Sequence, residues 1–268
     1  MKRHKWVWLG LVISVAGVGP WLGAATSSAS AEPLKDGGVE AAAKPATVEP
    51  TWELIAEDEG VKAWRMEIEG SDVVAFRGET TMNAPIAKVA SVLDDTSRKT
   101  EWVHNAIEAK NVKQISEWER IEYNRTKSPV PLFVNDRDFL FHAKVTLRLS
   151  EKQIVIDLKS VEDGAMPERD DAVRGHLLNS RYILSSLEND TKTRVQVEIH
   201  ADPRGSLPKW MVNLFQKAWP SRTLRGIALQ VAKPDLKDHE KVKLAFAAAG
   251  AAAQTVAPSQ SSAVKSPK

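Results

Sequence analysis

From residue 51 onward the apolar residues recur mostly at every second position, and after residue 207 they change to helical spacing. The clearest alternation runs from Arg137 to Leu149. Phe139, Phe141, Ala143, Val145, Leu147 and Leu149 share one side, while His142, Lys144, Thr146 and Arg148 share the other. That is the period of a strand with one face in a core. Similar patterns predict strands over Gly60–Met66, Val73–Thr81, Val112–Ile115, Glu117–Thr126, Gln153–Val161, Val173–Leu187 and Thr193–Ala201. Gly70-Ser71-Asp72 supplies a turn between the first two. Two short helical stretches interrupt the strands. Asn83-Ala84-Pro85 opens one, with Asn83 as cap and Ile86, Val89, Ala90 and Leu93 at helical spacing, ending near Asp94-Asp95. Ser97–Trp102 carries the second, and Trp52–Ile55 reads as a short opening helix.

The last periodic stretch is the longest. Asp202-Pro203-Arg204-Gly205 marks a turn, Ser206 is placed to cap a helix and Pro208 sits where a first-turn proline costs nothing. Met211, Leu214, Phe215, Ala218, Trp219, Leu224, Ile227, Ala228 and Val231 then form a wide apolar face. A helix over Leu207–Val231 would run roughly 37 Å at 1.5 Å per residue. Pro220 should kink or split it. Directly successive strands imply antiparallel hairpins. The expected class is therefore α+β: a curved antiparallel sheet closed by a long C-terminal helix.

The ends read differently. Residues 1–31 have a signal peptide's parts: the basic start Met1–Lys5, the apolar run from Trp6 to Val18, and Ala29-Ser30-Ala31 as a cleavage site. Residues 32–50 form a flexible linker rich in Ala, Gly and Pro. The folded domain is expected over 51–232. The 233–268 tail is charged and Ala-rich, with a short charged helix over Asp235–Ala249 and disorder over most of its length. Cleavage removes Lys2, Arg3 and Lys5, leaving 34 basic against 35 acidic residues. So even a balance argues against binding nucleic acid through phosphates. There is no cysteine, which excludes disulfides, thiolate metal sites and cysteine nucleophiles. No hydrolase, metalloprotease or phosphate-loop motif occurs, and no catalytic residue, metal or cofactor is expected. His142 and His200 fall opposite the apolar faces of their strands and should meet solvent. The acidic run Glu162–Asp171 lacks calcium-loop spacing and reads as a solvated turn.

Several features in order carry a resemblance: Trp102, the strand entry Asn135-Asp136-Arg137-Asp138-Phe139, Val173-Arg174, and Asp202-Pro-x-Gly-x-x-Pro-x-Trp-x-Val-Asn213. Together they resemble the START family of lipid-transfer domains over roughly Trp52–Val231. The resemblance implies a helix-grip fold whose sheet and last helix enclose a tunnel for one lipid or sterol. The position of a second tunnel arginine in several eukaryotic members is here Ala143, and its acidic partner's place falls near Asn124. With a tunnel implied, Phe139, Phe141 and Ala143 would line it from one strand, Val197 and Ile199 from the last, and Met211, Phe215 and Trp219 from the helix. Packed core is the alternative for each aromatic. Tyr123 and Arg125, sharing a face with Ile121, are candidate polar handles, with Arg125 equally able to end its strand in water. Arg137-Asp138 reads as an ion pair or anchor for the Pro129–Val134 loop. The expectation is a monomeric periplasmic or secreted module that binds and carries or sequesters a hydrophobic ligand, touching membranes transiently. The alternatives are an enzyme of the same shape, such as a polyketide cyclase or aromatase, and a ligand-free scaffold.

Overall fold

The computed structural model describes residues 51–128, 134–207, 212 and 217–256. Twelve strands run in chain order: β1 (Glu53–Asp58), β2 (Val61–Met66), β3 (Ala75–Met82), β4 (Ala106–Gln114), β5 (Glu119–Thr126), β6 (Asp136–Arg148), β7 (Gln153–Ser160), β8 (Ala172–Arg174), β9 (His176–Leu177), β10 (Ser180–Leu187), β11 (Lys192–Ile199) and β12 (Ala201–Asp202). One antiparallel sheet takes the order β1-β2-β3-β11-β10-β7-β6-β5-β4. β8 adds to β6 in parallel, and β12 pairs with β9. The helices are α1 (Ile86–Asp94), α2 (Trp219–Val231) and α3 (Glu240–Val256). No helix among the described residues is long and apolar enough to cross a membrane.

Register puts the apolar positions on one side. Ala63, Gly78, Val197, Tyr182, Ile156 and Val145 stand opposite one another in successive pairs across six strands, so all share one face. From β3 the chain crosses to β4 at the far edge by way of α1 and a 3-10 turn over Thr96–Glu101. α1 buries Ile86, Val89, Val92 and Leu93. Its cap is not Asn83: Pro85 occupies that place, and Asp190 reaches over to accept the Ile86 N–H at 3.0 Å.

α2 lies directly on the sheet because glycines clear its path. A methyl group on Gly78 of β3 would stand 2.7 Å from Pro220 Cβ and 3.0 Å from Leu224 Cδ1. One on Gly226 would collide with the Trp102 carbonyl. Leu224 and Ile227 are fully buried beneath. The break expected at Pro220 in the helical region over 207–231 falls at Ala218, just before it. Residues 212 and 217 are helical, Ala218 makes a turn, and α2 starts with Pro220 in its first turn. A proline is compatible with that position because the N–H it lacks would have no helical partner.

Two other expectations change. Trp52–Ile55 is not helical: residues from Glu53 form the edge strand β1, where Trp52 stacks under the Arg77 guanidinium at 4.1 Å. The C-terminal segment is not wholly a free tail, since residues 240–256 form α3 and part of it packs on α1. Val242 is 1% exposed. The His239 N–H donates to Ala87 O at 3.0 Å, and the His239 ring stacks on Trp118 with centroids 5.9 Å apart. His239 Nδ1 accepts the Val242 N–H at 3.3 Å, which leaves Nε2 to donate to Asp94, also at 3.3 Å. Glu101 gathers Arg98, Lys233 and Gln230 at the same junction, and these hold its carboxyl down at about 2. Residues 257–268 and the expected signal peptide and linker lie outside the described residues.

Candidate ligand-binding cavity

A cavity of about 110 Å³ lies between α2 and the sheet. β6 lines it with Phe139, Phe141 and Ala143, β7 with Ile156 and Leu158, and β11 with Val197 and Ile199. Trp219 and Thr223 of α2 close it, with Trp102 and Val103 from the turn that follows α1. The Tyr182 hydroxyl belongs to a ring in this wall whose pKa is pushed up, first by burial and then by Glu122.

One part of the wall is charged. Glu122 of β5 is fully buried and receives hydrogen bonds from Lys99 and from Arg120 Nε, the latter at 2.5 Å. Arg120 also reaches Asp94 at the end of α1, Nη1 to Oδ1 at 2.6 Å. Asp94 therefore stands between Arg120 on one side and His239 on the other. Burial pushes the Glu122 carboxyl up, but Lys99 and Arg120 outweigh it and hold Glu122 below the ordinary carboxylate range. Burial likewise pulls Arg120 down, and Glu122 and Asp94 together overcome it. Glu198 borders the cavity between Val197 and Ile199, but register turns its side chain to the other face of the sheet, where Arg77 pairs with it at 2.6 Å.

A family model described as START domain matches residues 39–221, more than half of the sequence. The chain belongs to the START domain family. An uncharacterised protein of Pseudomonas aeruginosa is 28% identical over 178 residues, covering 66% of this chain and 84% of that one. Mouse START domain-containing protein 10 is 26% identical over 60% of this chain, which spans about half of its relative's length (55%). Among solved structures, a STAR-related lipid transfer protein fragment from Xanthomonas axonopodis superposes with a TM-score of 0.60 at 26% identity. That match covers 68% of this chain and 99% of the fragment. Human STARD10 gives 0.62 at 22% identity, covering 68% and 74% of the two chains. The START fold and its α+β class are thereby shown.

Within this START domain the ten expected lining residues divide three ways. Phe139, Phe141, Ala143, Val197, Ile199 and Trp219 border the cavity together. Met211 and Phe215 lie outside the described residues. Tyr123 and Arg125 point to the other side of the sheet, and their placement as polar handles is corrected. Register gives the reason: Arg120, Glu122 and Asn124 stand opposite Ala143, Phe141 and Phe139, whereas Tyr123 stands opposite Leu140. Opposed residues share a face, so the even positions of β5 face the cavity. Tyr123 instead packs with Ile121 and Leu140, next to Val161 and Met166. Arg125 ties β5 to Asp136 at 2.8 Å and to Asp171 at 2.9 Å.

Arg137 and Asp138 do not pair with each other. Arg137 Nε and Nη2 donate to the carbonyls of Pro203 and Arg204, clamping the turn that follows β12. Asp138, fully buried, takes both Arg174 Nε at 3.0 Å and Nη2 at 3.1 Å. His200 is buried rather than solvent-facing, with Nε2 2.9 Å from Ser71 Oγ. Sequence reasoning missed Lys99, Arg120 and Glu122 altogether. The available signal was the alternation Arg120, Glu122, Asn124 on the face opposite Ile121, Tyr123 and Arg125, a polar face that sequence alone gives no reason to turn inward.

Proposed function

We propose that this START domain binds a lipid or another hydrophobic ligand in the cavity under α2 and carries or sequesters it outside the cytoplasm. The observation that carries the reading is the partly enclosed, largely apolar space walled by β6, β7, β11 and α2. START domains bind lipids and other hydrophobic ligands, which supports placing the guest there. Affinity would come from desolvation, roughly 25 cal/mol for each Å² of apolar ligand surface removed from water.

The space of about 110 Å³ is smaller than the roughly 300–1,000 Å³ that holds a drug-sized guest. Entry therefore requires the wall to part. The start of α2 suits this, because Ala218 makes no side-chain cap bond and Trp219 beside it lines the cavity. Passage of a lipid through such an opening entails transient contact with a membrane. The binder is proposed to act as a monomer: edge strand β1 carries Glu53, Glu57 and Asp58, charges that discourage edge-to-edge pairing.

Native mass spectrometry of protein purified from its own host, followed by lipid extraction, tests the reading. An intact lipid released in stoichiometric amount supports carriage, and a chemically altered one would turn the assignment toward an enzyme. Protein that stays empty after incubation with lipid vesicles would favour a scaffold. The extracytoplasmic location has its own test. N-terminal sequencing should find Glu32 first, and retention of Met1 in a membrane pellet would defeat the signal-peptide reading.

A further inference from the structure

We propose that residues 233–246, which follow α2, form a strap that latches one wall of the cavity and sets the rate at which guests enter and leave. This deepens the binding function proposed above and rests on it. The strap lies beyond residues 39–221, the stretch that the START domain model matches.

Where the strap attaches is the observation that carries this reading. Lys233 Nζ reaches Glu101 at 2.5 Å and Asp235 reaches Arg98 Nη1 at 2.8 Å, both on the 3-10 turn after α1. His239 donates its backbone N–H to Ala87 O, near the start of α1, and its ring stands beside Asp94 at the end of that helix. The same ring stacks on Trp118, and Lys241 pairs with the neighbouring Glu117 at 2.9 Å. Val242 enters the core, with Leu236 and Phe246 packed against the same cluster.

These anchors lie directly behind the cavity. Leu93, Lys99 and Trp102 of its wall are the chain neighbours of Asp94, Arg98 and Glu101. The strap thus grips one wall from outside, while its other end continues from α2, the wall that faces it. Those two walls touch, because Gly226 of α2 sits against the Trp102 carbonyl. A guest that needs more than about 110 Å³ must separate them, and separation pulls against the strap. The start of α2 provides the passage, and the strap holds the α1 side against it.

The attachment has the character of a latch. Residues 233–239 belong to no helix or strand, so they can lift without unwinding one. Lys233, Asp235, Lys241 and Glu117 are exposed at their contacts, and exposed ion pairs are individually weak and readily re-formed. If only the lifted form exchanges guests, both entry and exit slow by the fraction of time the strap is lifted. A segment that merely stabilised the fold would leave both rates alone in folded protein.

The test uses full-length mature protein freed of lipid, with N-phenyl-1-naphthylamine as an uncharged fluorescent probe. Association and dissociation are followed by stopped-flow fluorescence. Because the chain has no cysteine, Glu117→Cys with Lys241→Cys places a single pair of thiols across an exposed anchor, and a short bismaleimide joins them. Joining should slow both rates by about tenfold or more, while the same variant before joining should stay within about twofold of the unmodified protein. His239→Ala with Val242→Ala loosens the strap from the other side. It should speed both rates about tenfold and leave Kd within about twofold, since a latch acts on entry and exit equally. Unchanged rates in the joined protein would overturn the proposal, whether or not the loosened variant folds. A folded loosened variant that loses affinity without exchanging faster would overturn it too, leaving the strap a part of the fold alone. Failure of the unmodified protein to bind either the probe or decane would instead remove the ligand-carrying function, and the strap's role with it.

Discussion

Glu122 sits between two cations in a wall otherwise made mostly of aromatic and aliphatic side chains, and its worth depends on what is removed. Glu122→Gln would leave Lys99 and Arg120 buried without their carboxylate, a change that costs about 3–5 kcal/mol. Chemical denaturation should show that loss. Replacing the trio together, by Lys99→Met, Arg120→Met and Glu122→Leu, should cost far less, because no stranded charge remains. A cost for the triple variant equal to that of the single one would show that the trio stabilises the fold by attraction. Asp94 adds a pH dependence. The His239 hydrogen bond, helped by Arg120 and opposed by burial, holds its pKa below the ordinary value. As pH falls, the unfolded chain takes up this proton before the folded one does. That share of stability is complete above about pH 4 and is lost as pH falls further through the lowered value of Asp94. Asp94 is half exposed, so Asp94→Asn should lower Tm by only roughly 2–4 °C at pH 7. The two proteins should converge in Tm under acid conditions.

At the level of elements, β6 and β11 were legible because their apolar residues alternate and those residues do face the cavity. β5 alternates just as clearly, yet its inward set is Arg120, Glu122 and Asn124. What makes that arrangement affordable is Lys99 from the 3-10 turn and Asp94 from α1, both more than twenty residues away in sequence. No local pattern reveals a neutralising partner on another element. The same blindness hid α3's anchoring, which depends on Val242, His239, Trp118 and Asp94 meeting in space. A chain truncated before Leu236 would lose the burial of Val242 and the His239 contacts, about 2 kcal/mol in all. Its Tm should fall by roughly 4–8 °C, and an unchanged Tm would show that the α3 contact is not part of the stable fold. Gly226 gives the complementary test. Gly226→Ala would gain helix propensity of about 1 kcal/mol on an exposed helix, yet here the new methyl meets the Trp102 carbonyl. The expected outcome is net destabilisation by about 1–3 kcal/mol, read by denaturant titration. A stabilised variant would mean that α2 stands further from Trp102 than the structure shows.

Across the whole molecule, hydropathy sufficed for the α+β class and for most strands, because antiparallel neighbours in sequence are also neighbours in the sheet along β5-β6-β7 and β10-β11. The crossover that carries β4 to the far edge rests on contacts between distant segments and left no periodic trace, whereas the break in the C-terminal helical region was legible from Pro220. The cavity also has a consequence in the response to pressure. Multiplied by Avogadro's number, 110 Å³ per molecule is roughly 66 mL/mol, within the span of volume changes seen when proteins unfold. Compression favours whichever state occupies less volume, and unfolding lets water into that space. The empty protein should therefore unfold at a lower hydrostatic pressure than the loaded one, by more than the shift in Tm between the two would suggest. High-pressure fluorescence on matched empty and loaded samples would measure the difference, which makes the cavity observable without knowing what fills it.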